Sequence, residues 1–141
     1  MKRNASAVWH GNLKSGRGTL STDSTVLKDT PYSFTSRFES GVGTNPEELI
    51  AAAHAGCFTM ALAAALEKAG HVADTLSTTA AVTLENQPKT GWTLCAVHLT
   101  TSAKVPGIDA AAFAEVAAGA KANCPVSRVL NAAITLDARL A

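Results

Sequence analysis

The chain carries almost no net charge: 12 lysines and arginines stand against 11 aspartates and glutamates, leaving +1 over 141 residues. Such a balance lacks the electrostatic footprint of a nucleic-acid binder or of a protein held on an anionic membrane. The basic start, Met1-Lys2-Arg3-Asn4, is not followed by an apolar run, so it does not read as a secretory signal. The apolar stretch around Cys57 is interrupted by Glu47, Glu48, His54, Glu67 and Lys68. It falls short of the run of about 18 uncharged apolar residues that a membrane span needs. A cytoplasmic protein is expected. There is no Gly-x-Ser-x-Gly elbow, and Gly16-Arg17-Gly18 and Gly41-Val42-Gly43 lack the strand-loop-helix setting of a phosphate loop. Cysteine occurs three times, and in a reducing compartment an odd count points to reactive or buried thiols rather than a disulfide framework. Aromatic residues are only 5% of the chain while alanine is abundant, which favours closely packed helices.

The length predicts a single domain over residues 1–141. Residues 7–10 and 19–22 read as strands around a turn at Gly16-Arg17-Gly18. Tyr32, Phe34, Ser36 and Phe38 alternate with Ser33, Thr35, Arg37 and Glu39 as a third strand would, with Arg37 facing away from the aromatic side. Asn45 as N-cap, Pro46 at the first helical position and Glu48 in a capping box then open a helix that runs to Ala69 and stops at Gly70. It has so little polar face that burial nearly all round is expected. A domain of this size hardly covers such a helix alone, so a second subunit is its natural cover. Strands follow at 78–84 and 92–101 around a turn at Pro88-Lys89-Thr90-Gly91. Asp109 caps a helix through Lys121, Pro125 opens a short one to about Asn131, and 133–140 alternates as the last strand. The order β-β-β-α-β-β-α-α-β is that of an α+β fold.

Two thiols sit in informative surroundings. Cys57 lies mid-helix in His54-Ala55-Gly56-Cys57, where an inert buried thiol is an equally good reading, because apolar surroundings raise a thiol pKa. Cys124 precedes Pro125 at a helix start, where the amides of Val126 and Ser127 can point at its sulfur, with Lys121 and Arg128 nearby. On local grounds Cys124 is the better nucleophile. Cys95, on one strand face with Val97 and Leu99, reads as core. His54 and Cys57 stand three apart on a helix and, with Cys124, offer a set of zinc ligands, but no second close pair supports a metal. His10, His71 and His98 read as surface or strand histidines.

The chain resembles the OsmC/Ohr family of osmotically inducible and organic hydroperoxide resistance proteins, and its OsmC branch in particular. The residues that carry the resemblance are Tyr32-Ser33-Phe34-Thr35-Ser36-Arg37-Phe38-Glu39, Gly43-Thr44-Asn45-Pro46-Glu47-Glu48-Leu49 leading to His54-Ala55-Gly56-Cys57-Phe58, Val105-Pro106-Gly107-Ile108-Asp109, and Asn123-Cys124-Pro125-Val126-Ser127. The resemblance implies an intertwined homodimer with long central helices wrapped by antiparallel β-sheets. It implies a thiol peroxidase that turns organic hydroperoxides into alcohols without a cofactor or metal, recycled by a dithiol reductant of the lipoyl type. Cys57 then matches the peroxidatic cysteine and Cys124 the resolving one, which reverses the local ranking. Arg37 matches the arginine that stabilises the thiolate and polarises the peroxide, and Glu47 the glutamate that orients Arg37.

Glu47 and Cys57 stand ten residues apart on one expected helix, roughly 15 Å along its axis, so one arginine cannot meet both in the same chain. Glu47 is expected to come from the partner subunit. Two other readings stand beside the peroxidase. One is a non-catalytic module that binds an apolar ligand. The other is a zinc protein using His54, Cys57 and Cys124.

Overall fold

Three short strands open the chain: β1 Ala5–His10, β2 Arg17–Thr22 and β3 Thr30–Tyr32 form an antiparallel sheet in the order β1-β2-β3. Gly18 pairs with Trp9 on one side and Tyr32 on the other. Having no side chain, it lets the two rings meet over it at 5.4 Å between centroids. The computed structural model describes all residues, Met1–Ala141, as two compact units, Met1–Leu49 and Ile50–Ala141.

The alternation at residues 32–38 does not make a strand. Only its first residue is β, and Phe34–Phe38 forms a short helix, α1. The reason is a reciprocal capping box: the Ser33 hydroxyl accepts from the Ser36 amide while the Ser36 hydroxyl accepts from the Ser33 amide. Phe34 and Phe38 then fall one turn apart, and their tilted rings meet at 4.9 Å between centroids. Arg37 is carried on this helix, not on a strand.

Helix α2, Pro46–Lys68, begins as its sequence predicts. Asn45 Oδ1 accepts from the Glu48 amide at 2.8 Å. The return half of the expected capping box is replaced, because the Glu48 carboxylate accepts from the Thr44 hydroxyl instead, at 2.9 Å. The helix ends on Gly70 at φ +83°, with the His71 amide donating to Leu66 C=O and the Gly70 amide to Glu67 C=O, a Schellman stop.

In the second unit every fourth residue of α2, His54, Phe58, Leu62 and Leu66, is buried. With Val97, Leu99, Ala103, Phe113, Ala117, Ala120 and Cys124 the three apolar ones form the core. Hydroxyls of Thr59, Thr78 and Thr101 form a ladder beside it at 2.9 and 3.0 Å. By length and composition α2 is apolar enough to cross a membrane, but its buried stripe is that of a core helix. The opposite face, with Ala53, Gly56, Met60 and Ala64, is exposed. One chain therefore does not bury α2 all round.

Strands β4 Thr75–Gln87 and β5 Gly91–Lys104 form a long antiparallel hairpin. β5 then pairs with β6, Ala133–Leu140, in parallel, so the second sheet is mixed rather than wholly antiparallel. The connection explains the direction. Between β5 and β6 the chain forms α3, Ala110–Asn123, and α4, Pro125–Val129, a crossover that carries it back to where β5 began. Asp109 caps α3 through its side chain to the Ala112 amide.

Candidate active site

The two thiols that the sequence singles out meet in the second unit. Cys57 Sγ and Cys124 Sγ lie 3.2 Å apart, against about 2.05 Å in a disulfide, so they are free thiols in contact. Pro125 is the local reason. It disfavours a helical conformation at the residue before it, and Cys124 adopts φ −59°, ψ 121° as a break between α3 and α4. That break turns the Cys124 side chain into the core, where it is fully buried, against half-buried Cys57 on α2.

The electrostatics of the pair are unequal. Burial pushes the Cys57 thiol up; a hydrogen bond from the Val126 amide opposes this, and the Cys124 thiol adds to the rise. Burial also acts to raise Cys124. There the Ser127 amide, the Cys57 thiol, the Ser127 hydroxyl and the Val126 amide outweigh it, and the thiol falls below its ordinary value. Within one chain, then, Cys124 is the more acidic of the two, and the backbone donors are the amides of Val126 and Ser127.

His54 does not join the thiols as a ligand. Its Nε2 lies 2.7 Å from the Ser127 hydroxyl, its Nδ1 has no partner, and the ring is fully buried. Burial lowers its pKa, which keeps it neutral. No group of three His, Cys, Asp or Glu side chains is arranged to hold a metal ion. Nothing in the local sequence links His54 to Ser127, 73 positions away.

In the first unit, Arg37 on α1 meets Glu47 in the first turn of α2. Arg37 Nη2 donates to Glu47 Oε1 at 2.7 Å, and Nε lies 3.2 Å from both carboxylate oxygens. The guanidinium also sits 5.1 Å from the Phe38 ring centroid. Arg37 and Glu47 therefore form an ion pair within one chain.

Cys95 departs from its expected place in the core. Thr83 pairs with Ala96 and Leu84 with Leu94, which leaves Cys95 as the extra residue of a β-bulge, half-buried, with its sulfur 3.7 Å from the Thr83 carbonyl. Burial and the Glu85 carboxylate both raise its pKa, which disfavours the nucleophilic thiolate. The second unit also contains an apolar cavity of about 380 Å³, lined by residues that include Ile50, Val82, Trp92, Leu94, Val97 and Leu130.

An α+β fold with two unbonded cysteines in contact, one polarised by backbone amides, defines a dithiol redox protein. The model of the OsmC-like protein family matches residues 39–139, and the chain belongs to that family. It is 50% identical over 134 residues to Peroxiredoxin OsmC of Escherichia coli, covering 95% of this chain and 93% of that protein. It is thus a cysteine-based peroxidase. Among solved structures it is similar to an organic hydroperoxide resistance protein OsmC from Legionella pneumophila, at 25% identity and a TM-score of 0.71, with 98% of this chain and 96% of that one covered. An OsmC-like protein from Vibrio cholerae shares the fold at a TM-score of 0.78 and 15% identity, over 98% of this chain and 99% of that one.

Proposed function

We propose that the chain reduces organic hydroperoxides to alcohols, with Cys57 as peroxidatic and Cys124 as resolving cysteine. The observation that carries this reading is the 3.2 Å contact between two free thiols beside apolar core. The Cys57 thiolate attacks one peroxide oxygen, the O–O bond breaks, and the alkoxide leaves as the alcohol on taking a proton. Cys57 becomes a sulfenic acid, and Cys124 condenses with it to a disulfide and water. A dithiol of the lipoyl type reduces the disulfide by exchange through a mixed disulfide. The apolar core that holds Cys124, with Cys57 packed against it, suits a hydrophobic R group.

A single chain raises the Cys57 pKa, so the reaction needs a cation supplied to this thiol. We assign that role to Arg37, held by Glu47, delivered by a second copy of the chain, since roughly 15 Å of α2 separates Glu47 from Cys57. In this reading residues 1–141 act as one domain of an intertwined cytoplasmic homodimer, whose second copy covers the exposed Ala53, Gly56, Met60 and Ala64 face of α2. The competing apolar-ligand module would leave the thiols idle. Steady-state and single-turnover assays with cumene hydroperoxide decide between them. Cys57→Ser is expected to abolish peroxide consumption, and Cys124→Ser to allow one turnover and then over-oxidation of Cys57. Full activity in either variant would sink the assignment.

A further inference from the structure

The mechanism above uses the two cysteines and the arginine, but leaves unused a polar pair carried by the same elements as the thiols, a fully buried His54 and a partly buried Ser127. His54 Nε2 and Ser127 Oγ lie 2.7 Å apart, and His54 Nδ1 is buried without a partner. The orphan nitrogen fixes the tautomer. A buried N–H lacking an acceptor costs more than a bare ring nitrogen. The proton of the neutral ring therefore sits on Nε2 and is donated to the Ser127 oxygen. Ser127 Oγ then accepts from the histidine and keeps its own hydrogen to give. Ser127 stands three residues past Cys124 in the turn that Cys124 opens, so the His54–Ser127 pair is carried by the same two elements as the Cys57–Cys124 contact, and the Ser127 hydroxyl acts to lower the Cys124 thiol.

We propose that His54 and Ser127 are positioning residues for the second half of the reaction: His54 holds the Ser127 hydroxyl so that its hydrogen is aimed at the Cys124 sulfur when that sulfur attacks the Cys57 sulfenic acid. The inference rests on the peroxidase reading. The step balances as Cys57–SOH plus Cys124–SH giving Cys57–S–S–Cys124 plus water. The S–S bond forms, the S–O bond of Cys57 breaks with hydroxide leaving, and the Cys124 proton ends in the water. A hydrogen bond from Ser127 stabilises the developing negative charge on Cys124 before attack and does nothing for the attack of Cys57 on peroxide. This assigns the cost of burying a histidine to a task, since a core leucine would pack there without an orphan nitrogen.

The titratable groups around Cys124 bear on its pH dependence. They are Cys57 and His54 from α2, Lys121 from the last turn of α3, whose Nζ donates to the Ile134 carbonyl, and Arg128 on the exposed side of α4. A neutral-range inflection in the resolving step is expected to report the thiols and His54.

The test separates the two half-reactions by stopped flow in the reduced, full-length protein. Peroxide consumption is followed with one equivalent of cumene hydroperoxide, and decay of the sulfenic acid is trapped with dimedone and read by mass spectrometry. Ser127→Ala is expected to leave the first step unchanged, to slow sulfenic-acid decay roughly tenfold, and to move its pH profile upward by about one unit, the size of one hydrogen bond to a charged group. Ser127→Thr, which keeps the hydroxyl, should restore most of the rate and the profile. His54→Gln, which keeps a donor, should fall between wild type and Ser127→Ala. If Ser127→Ala forms the disulfide at the wild-type rate with the wild-type pH profile, the relay is wrong while the peroxidase stands. If the wild-type protein consumes no peroxide, the underlying reading itself has failed. A folded Ser127→Ala slowed in both steps equally would also overturn the relay, because it would show a general structural defect.

Discussion

Joining Cys57 to Cys124 should make the protein markedly harder to unfold. The bond would close a loop of 67 residues, and the chain-entropy relation for that length gives about 4 kcal/mol of stabilisation at 25 °C. Native-state strain subtracts from this, but the sulfurs need to move only from 3.2 Å to a bonded distance of about 2.05 Å. One of them sits at the boundary between α3 and the five-residue helix α4. With a urea slope of about 2 kcal/mol/M, the oxidised protein should unfold roughly 2 M later than the reduced one. The same energy makes the disulfide about 90 mV more reducing than in the unfolded chain, which favours a dithiol over a monothiol as its reductant. Urea unfolding of the oxidised and reduced wild type, with Cys124→Ser as a redox-insensitive control, measures this. Coincident curves, with the disulfide verified by mass, would refute the reasoning. The contact would then not be poised, and bonding would strain the native state as much as it restrains the unfolded one.

Three further outcomes follow. Met60→Asp puts a charge on the exposed face of α2, where Met60 is 76% exposed in one chain. If a second copy covers that face, sedimentation should show dissociation to monomers, whereas an unchanged mass would exclude this face from the interface. Phe58→Ala empties a fully buried site in the core and should cost about 3–5 kcal/mol in urea unfolding; a loss under 1 kcal/mol would mean the core around α2 collapses freely. His54 is lowered from 6.5 by burial, so the unfolded chain binds its proton more readily than the folded one. Its contribution is complete above pH 6.5 and is lost as the pH falls from there toward the lowered folded value, by at most about 1.4 kcal/mol per unit. Urea midpoints between pH 7.5 and 5 should show the decline, and His54→Gln should flatten it.

How legible the molecule was depended on whether the governing interaction was local. The Asn45-Pro46 start, the Gly70 stop, the Asp109 cap and the limits of β6 are set by neighbours in sequence, and the reading placed each of them. The segment around Arg37 misled because alternating aromatics fit a strand as well as an i,i+4 pair; the Ser33–Ser36 capping box decided for a helix. The parallel pairing of β5 with β6 is a consequence of the two-helix crossover, which no single strand encodes. The Cys95 bulge depends on register with β4. The acidity of Cys124 was visible in the Cys124-Pro125 break with its free amides, whereas His54 and Ser127 are partners only through the fold. The Arg37–Glu47 pair was foreseen as a pair, but its formation within one chain follows from α1 lying beside the first turn of α2.

The most direct test of the central claim is a thiol count. Fully reduced protein is mixed with one equivalent of cumene hydroperoxide, and free thiols and peptide masses are read at once. The account predicts rapid loss of two thiols as a Cys57–Cys124 disulfide, with Cys95 untouched. Three unreacted thiols, or oxidation centred on Cys95, would contradict it.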